Sequence, residues 1–96
     1  MRPSIALQNN REAIREIALR HRVRNVRVFG LALHGNDTED SDLDLLVEPL
    51  PEATLFDIGA IQYELKKLLG IHVDVLTPGA LPDSFKERVM KEALPV

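Results

Sequence analysis

Apolar positions along the chain alternate between helical and strand spacing. Ile14, Ile17, Ala18 and His21 recur at helical intervals, and Asn9 or Asn10 suits a cap, so a first helix is expected to run to about His21. Val26 and Val28 then alternate with Arg27, the period of a strand that ends at Gly30. A short helical turn is expected from Leu31 to His34, broken by Gly35-Asn36-Asp37. Leu43 to Val47 reads as a second strand, stopped by Pro49 and Pro51. Thr54 and Asp57 have capping-box spacing and open a helix with Ile58, Ile61, Leu65, Leu68 and Leu69 on its apolar face, closed by Gly70. Val73 to Thr77 forms a third strand, and Pro78-Gly79 turns the chain. Ser84 with Glu87 caps a last helix carrying Phe85, Val89 and Ala93. The order α-β-α-β-α-β-α predicts an α/β fold, a small sheet packed with helices.

Composition narrows the setting. The 96 residues are expected to make one domain, 1–96, with a single core and little spare stability. Hydrophobic residues at 45% and charged residues at 28% are ordinary for a globular domain and exclude disorder. The chain has no cysteine, so disulfide, thiolate and zinc-thiolate chemistry are excluded, which suits a reducing cytoplasm. The opening MRPSIALQNN lacks the apolar stretch of a signal peptide, and no segment approaches membrane-spanning length; a cytoplasmic location is expected. A net charge of −3 argues against general nucleic-acid binding. Arg11, Arg15, Arg20, Arg22, Arg24 and Arg27 cluster in the first third and read as a solvated helix face, with a docking surface for an acidic partner or an RNA as the lesser alternative.

The segment FGLALHGNDTEDSDLDLLV, Phe29 to Val47, changes the picture most. Strand alternation puts Asp42 and Asp44 on one face, about 6.6 Å apart along the chain, with Leu43 and Leu45 on the other. Two carboxylates at the mouth of a buried strand repel each other and resist desolvation, and a cation between them removes both problems. Oxygen-only ligands point to magnesium, manganese or calcium. Asp74 interrupts a further apolar strand, HVDVLT, and completes a set of three acids. A calcium loop starting at Asp40 fails, because its sixth position is Leu45 rather than Gly and its twelfth is Pro51 rather than Glu. Taken singly, each acid has a structural reading as an Asx turn or strand-edge residue; jointly they form a candidate divalent-metal site. Gly30, at a strand-to-helix turn, lets backbone N–H groups approach phosphate oxygens, or simply allows a tight turn.

Gly30, one residue, ten residues, then Asp42-x-Asp44 resembles the fingerprint of the DNA polymerase beta-like nucleotidyltransferases. It is most similar to the minimal nucleotidyltransferases, antitoxin-type proteins often encoded beside a HEPN-domain ribonuclease. That resemblance covers nearly the whole chain. It implies a single-domain minimal nucleotidyltransferase fold with a three-stranded mixed sheet. Asp42, Asp44 and Asp74 take the places of the catalytic and metal-binding acids, with two Mg2+ ions, or Mn2+, as cofactor. Gly30 and Leu31 fall at the nucleotide-binding turn. The implied reaction is transfer of AMP from ATP to a HEPN-domain toxin. The sequence departs from the family at Leu31, where the family has a phosphate-binding Ser, and Ala32-Leu33-His34 replaces a stretch that often carries Arg.

These departures leave a second function of a different class: a non-catalytic antitoxin module that neutralises its toxin by occupying it. A third is a transferase acting on a small molecule or a nucleic-acid end. The chain is too short for a separate substrate domain, so the acceptor comes from a partner or a second copy, in a homo- or hetero-oligomer. His34 is a candidate phosphate contact where the family has Arg, although a surface histidine is the plainer reading. His72 should share the face of Asp74, and Tyr63 reads as a packing residue. Asp37, Glu39 and Asp40 read most simply as a solvated loop.

Overall fold

Strand alternation sorts the apolar residues onto the two faces of one sheet. The computed structural model describes residues 1–96. Its elements are α1 (Pro3–Leu19), β1 (Val23–Phe29), α2 (Leu31–His34), β2 (Leu43–Pro49), α3 (Leu55–Leu69), β3 (Val73–Leu76), α4 (Asp83–Glu92) and β4 (Leu94–Pro95), with a 3-10 turn over Pro78–Ala80. The sheet order is β3-β2-β1-β4. β1 runs antiparallel to β2 and to β4, while β2 and β3 are parallel and α3 makes the crossover between them. One face packs Val26, Val28, Leu43, Leu45, Val47, Val73 and Val75 against Ile14, Ile17 and Ala18 of α1 and Ile61 and Leu65 of α3. On the opposite face, Phe29 and Leu46 pack against Leu81, Val89 and Ala93.

The mixed sheet has four strands rather than three. The extra strand is two residues long and pairs with Arg27 and Val28 of β1. Leu94-Pro95 has no periodicity of its own, and only the free edge of β1 gives it a partner. Its neighbour Val96 donates its N–H to the Val26 carbonyl at 2.9 Å.

Several local expectations meet their mechanism. Thr54 and Asp57 form the capping box: Oγ1 of Thr54 accepts from the Phe56 N–H at 3.2 Å, and the Thr54 N–H donates to Asp57 Oδ2 at 2.9 Å. Gly70 closes α3 in the left-handed conformation. Ser84 with Glu87 forms no such box: α4 begins two residues earlier, at Asp83 after Pro82, and has no side-chain cap. Tyr63 is not a packing residue but is 66% exposed, and Leu68, expected on the apolar face, is also exposed. β1 starts at Val23, earlier than its alternation suggests, because Asn25 at φ 57° breaks the register between Arg24 and Val26.

The start of α1 and the loop before β2 differ most from expectation. The helix begins at Pro3, not near Asn10, and Asn10 instead marks a kink with non-helical backbone, its side chain bonded to the Ala6 carbonyl at 2.9 Å. Asp37, expected in a solvated loop, is buried and holds this early turn. Its Oδ2 accepts from the Ser4 N–H at 2.7 Å and its Oδ1 from Arg2 Nη2 at 3.1 Å. Arg2 also donates to the carbonyls of Asp37 and Gly35. Burial alone would raise the Asp37 pKa, but the hydrogen bonds from Ser4 and Arg2 outweigh it and hold the carboxyl below its usual range. A depressed carboxylate pKa stabilises the fold above pH about 4, and this contribution is lost as pH falls below that value. Asp37→Ala is expected to destabilise the protein by about 2 kcal/mol at neutral pH, by stranding a charged donor and a helix N–H. Urea unfolding of both proteins at pH 7 measures the loss, and the gap should narrow in acid.

Candidate active site

The face of the sheet that carries α4 also carries the acids. Leu43, Leu45 and Val47 of β2 point to the α1–α3 core, so Asp44 and Leu46 point the other way. The same alternation in β3 sends Val73 and Val75 inward and Asp74 toward α4. Parallel pairing places Asp44 directly beside Asp74, and antiparallel pairing places Phe29 beside Asp44. Neighbouring strands lie about 4.8 Å apart. Asp42 precedes β2 by one residue, two positions from Asp44. Asp42 and Asp74 are exposed, and Asp44 is half-buried between them.

This arrangement concentrates negative charge at Asp44. Burial, then the charges of Asp74 and Asp42, push its pKa up to about 6. No Lys, Arg or His forms an ion pair with any of the three acids. They sense one another electrostatically, yet no three Asp, Glu or His side chains are gathered into a closed metal-ligand set. Clustered carboxylate oxygens without a cationic side chain are the donor set that a hard divalent cation fits.

Gly30 is fitted to Asp44. It joins β1 to α2 at φ 76° and ψ −153°, a region essentially restricted to glycine. A Cβ built on it would lie 2.5 Å from Asp44 Oδ2, inside van der Waals contact. The bare Cα is therefore what lets the turn pass over the carboxylate.

An open cleft of about 580 Å³ lies beside this turn. Gly30, Leu31 and Asp44 line one side, with Phe29 and Leu76 behind them. Asp42 and Asp74 share the face but do not line the cleft itself. Leu31 heads the four-residue α2 and is 52% exposed, so its side chain meets whatever enters. His34 lies at the mouth, its Nε2 3.3 Å from Glu92 Oε2. His72 is exposed outside the cleft. The opposite wall belongs to α4 and contributes Phe85, Arg88, Val89 and Glu92. Sequence reasoning missed Arg88 and Glu92. Both lie near Phe85 and Val89 on a helix surface, but only the packing of α4 across the acid-bearing face turns that surface toward the cleft.

Known proteins resemble the chain along most of its length. The nucleotidyltransferase domain family matches residues 10–96. A Methanocaldococcus jannaschii protein provisionally named a protein adenylyltransferase is 38% identical over 80 residues, covering 83% of this chain and 86% of the relative. The protein adenylyltransferase MntA of Thermococcus cleftensis is 32% identical over 80 residues, 83% of this chain and 81% of its own. A solved structure provisionally described as a minimal nucleotidyltransferase superposes with a TM-score of 0.86 at 39% identity, covering 97% of this chain and 95% of the other. The toxin–antitoxin structure MntA-HepT shares the fold, with a TM-score of 0.68 at 16% identity over 92% of this chain and 69% of the other.

Proposed function

The chain belongs to the nucleotidyltransferase domain family, and from that premise we propose that it is a metal-dependent antitoxin that transfers AMP from ATP to a HEPN-domain toxin. The observation that carries this reading is the register that sets Asp44 beside Asp74, under the bare Cα of Gly30, with no cationic side chain to neutralise them. Asp42, Asp44 and Asp74 are the proposed catalytic and metal-binding residues, and Gly30 and Leu31 form the nucleotide-binding turn. The partner is proposed because two structures with this fold are toxin–antitoxin assemblies, one of them with AMP-PNP.

In the proposed reaction an acceptor hydroxyl releases its proton to solvent, its oxygen bonds to the α-phosphorus of ATP, the bond from that phosphorus to the bridging oxygen of the β-phosphate breaks, and pyrophosphate leaves. Magnesium held by the carboxylates would polarise the phosphate and favour the ionised hydroxyl. The chain contributes position and charge. Asp44, fixed in the middle of the sheet, is the rigid ligand, and Asp42 and Asp74 complete the set from either side. Gly30 admits the phosphates close to the backbone. The apolar wall of Phe29, Leu76, Phe85 and Val89 keeps water from part of the cleft. Because the cleft is open and the 96 residues form no separate substrate domain, the acceptor is proposed to come from the partner.

Leu31 favours a second reading, in which the fold occupies the toxin without chemistry. A leucine in the cleft offers no hydrogen bond where a serine would donate one to a phosphate. Such a charge-assisted bond is worth roughly ten- to a hundred-fold in binding. Leu31→Ser is expected to tighten magnesium-ATP binding or speed transfer by about ten-fold or more, and its exposure means that the fold should tolerate the change. Calorimetric titration of ATP, with magnesium and with EDTA, tests both readings. Magnesium-dependent binding by the natural chain supports the enzyme. Binding by neither the natural chain nor the serine variant would leave only the occupying module.

A further inference from the structure

The nucleotide reading leaves the charged residues of the α4 wall, Arg88 and Glu92, without a task. Arg88 brings the cleft its only Lys or Arg side chain, and it joins none of the ion pairs of the chain. Both carboxylates beside it are engaged elsewhere. Glu92, four residues on and the usual helical partner for such an arginine, turns to His34 at 3.3 Å. Glu87 pairs with Lys91 at 3.4 Å. Arg88 is thus an exposed residue at the edge of the cleft, free of any fixed anion.

We propose that Arg88 binds the terminal phosphates of the nucleoside triphosphate, doing from α4 what a hydroxyl at position 31 would do from α2. The inference rests on the nucleotidyltransferase reading above. Leu31, Ala32 and Leu33 supply no side-chain donor, and His34 faces Glu92. Among the cleft side chains, Arg88 alone offers a permanently charged fork of N–H groups, which matches the oxygens of a phosphate. It lines the same cleft as Asp44, from α4 rather than from β2. A triphosphate lying between them would have its cation on the acid side and its outer phosphates on the arginine side. The phosphate donor that the family's serine would supply from the turn then comes from the other wall.

Titration of magnesium-ATP, magnesium-ADP and AMP into four proteins tests this assignment: the natural chain, Arg88→Ala, Arg88→Lys and Lys91→Ala. Lys91→Ala removes the same charge from the same helix outside the cleft, where Lys91 is exposed and paired only with Glu87. Arg88→Ala should raise the Kd for magnesium-ATP by about ten-fold or more and that for AMP by less than about two-fold. Arg88→Lys should fall between, retaining charge but not the fork. Lys91→Ala should stay within about two-fold of the natural chain for every nucleotide. Arg88→Ala that behaves like Lys91→Ala would overturn the inference while leaving the nucleotide reading intact, as would equal losses for AMP and ATP. A natural chain that binds none of the nucleotides would overturn both.

Discussion

Asp44→Asn is expected to abolish nucleotidyl transfer and, in the same protein without metal, to increase stability at neutral pH. The two effects have one cause. Asp44 is half-buried between Asp42 and Asp74, and its pKa is pushed up to about 6. Removing its charge takes away the central proposed metal ligand, and metal stabilisation of a phosphoryl transition state is worth several kcal/mol, about a thousand-fold in rate. The same charge opposes folding. Its folded pKa exceeds the unfolded value near 3.9, so the native state binds more protons between pH 4 and 6. Stability from this group therefore falls as pH rises through that window, and the full penalty applies above it. Two pKa units correspond to about 3 kcal/mol, and solvent screening at a half-exposed site reduces this to about 1–2 kcal/mol. Unfolding in EDTA should show Asp44→Asn more stable than the natural chain at pH 8 and equal to it at pH 4. Equal stability at both would mean that neither burial nor the neighbouring acids disfavour the Asp44 charge in the folded protein.

Gly30→Ala should remove both folding stability and activity. A backbone at φ 76° and ψ −153° costs a non-glycine residue about 1–3 kcal/mol. The new methyl would also meet Asp44 Oδ2 at 2.5 Å, so either the turn or the carboxylate must move. The expected destabilisation is about 3 kcal/mol or more, with transfer falling to background because Asp44 is displaced. Pairing Gly30→Ala with Asp44→Gly, which deletes the clashing carboxylate, should recover part of the stability and none of the activity. A change below about 0.5 kcal/mol in the single variant would mean that the turn relaxes without strain.

The parts of this fold legible in the sequence are those specified by local chemistry. Val26 and Val28, Leu43 and Leu45, and Val73 and Val75 alternate with residues of the other face, and this period alone predicts which side Asp44 and Asp74 share. Thr54, Asp57 and Gly70 mark the ends of α3 through hydrogen bonds and backbone freedom that need no distant partner. What was not legible depends on contacts far apart in the chain. Asp37 holds the start of α1 from 33 residues away, so its burial has no local signal. β4 exists only because β1 has an unpaired edge. Arg88 and Glu92 become cleft residues only when α4 crosses the acid-bearing face. The ends of α3 were legible, but the exposure of Tyr63 was not, because helical spacing near an apolar stripe does not fix which flank the sheet covers.

Transfer of label from ATP to the partner tests the central claim most directly. The chain would be incubated with a HEPN-domain toxin, magnesium and ATP labelled at either the α- or the γ-phosphate, with Asp44→Asn and EDTA as controls. The account predicts that α-label becomes covalently attached to the toxin, that γ-label does not, and that both controls abolish attachment. Attachment of γ-label would make the reaction a phosphorylation, and α-label transfer undiminished in Asp44→Asn would place the chemistry away from these carboxylates. Either result would contradict the account.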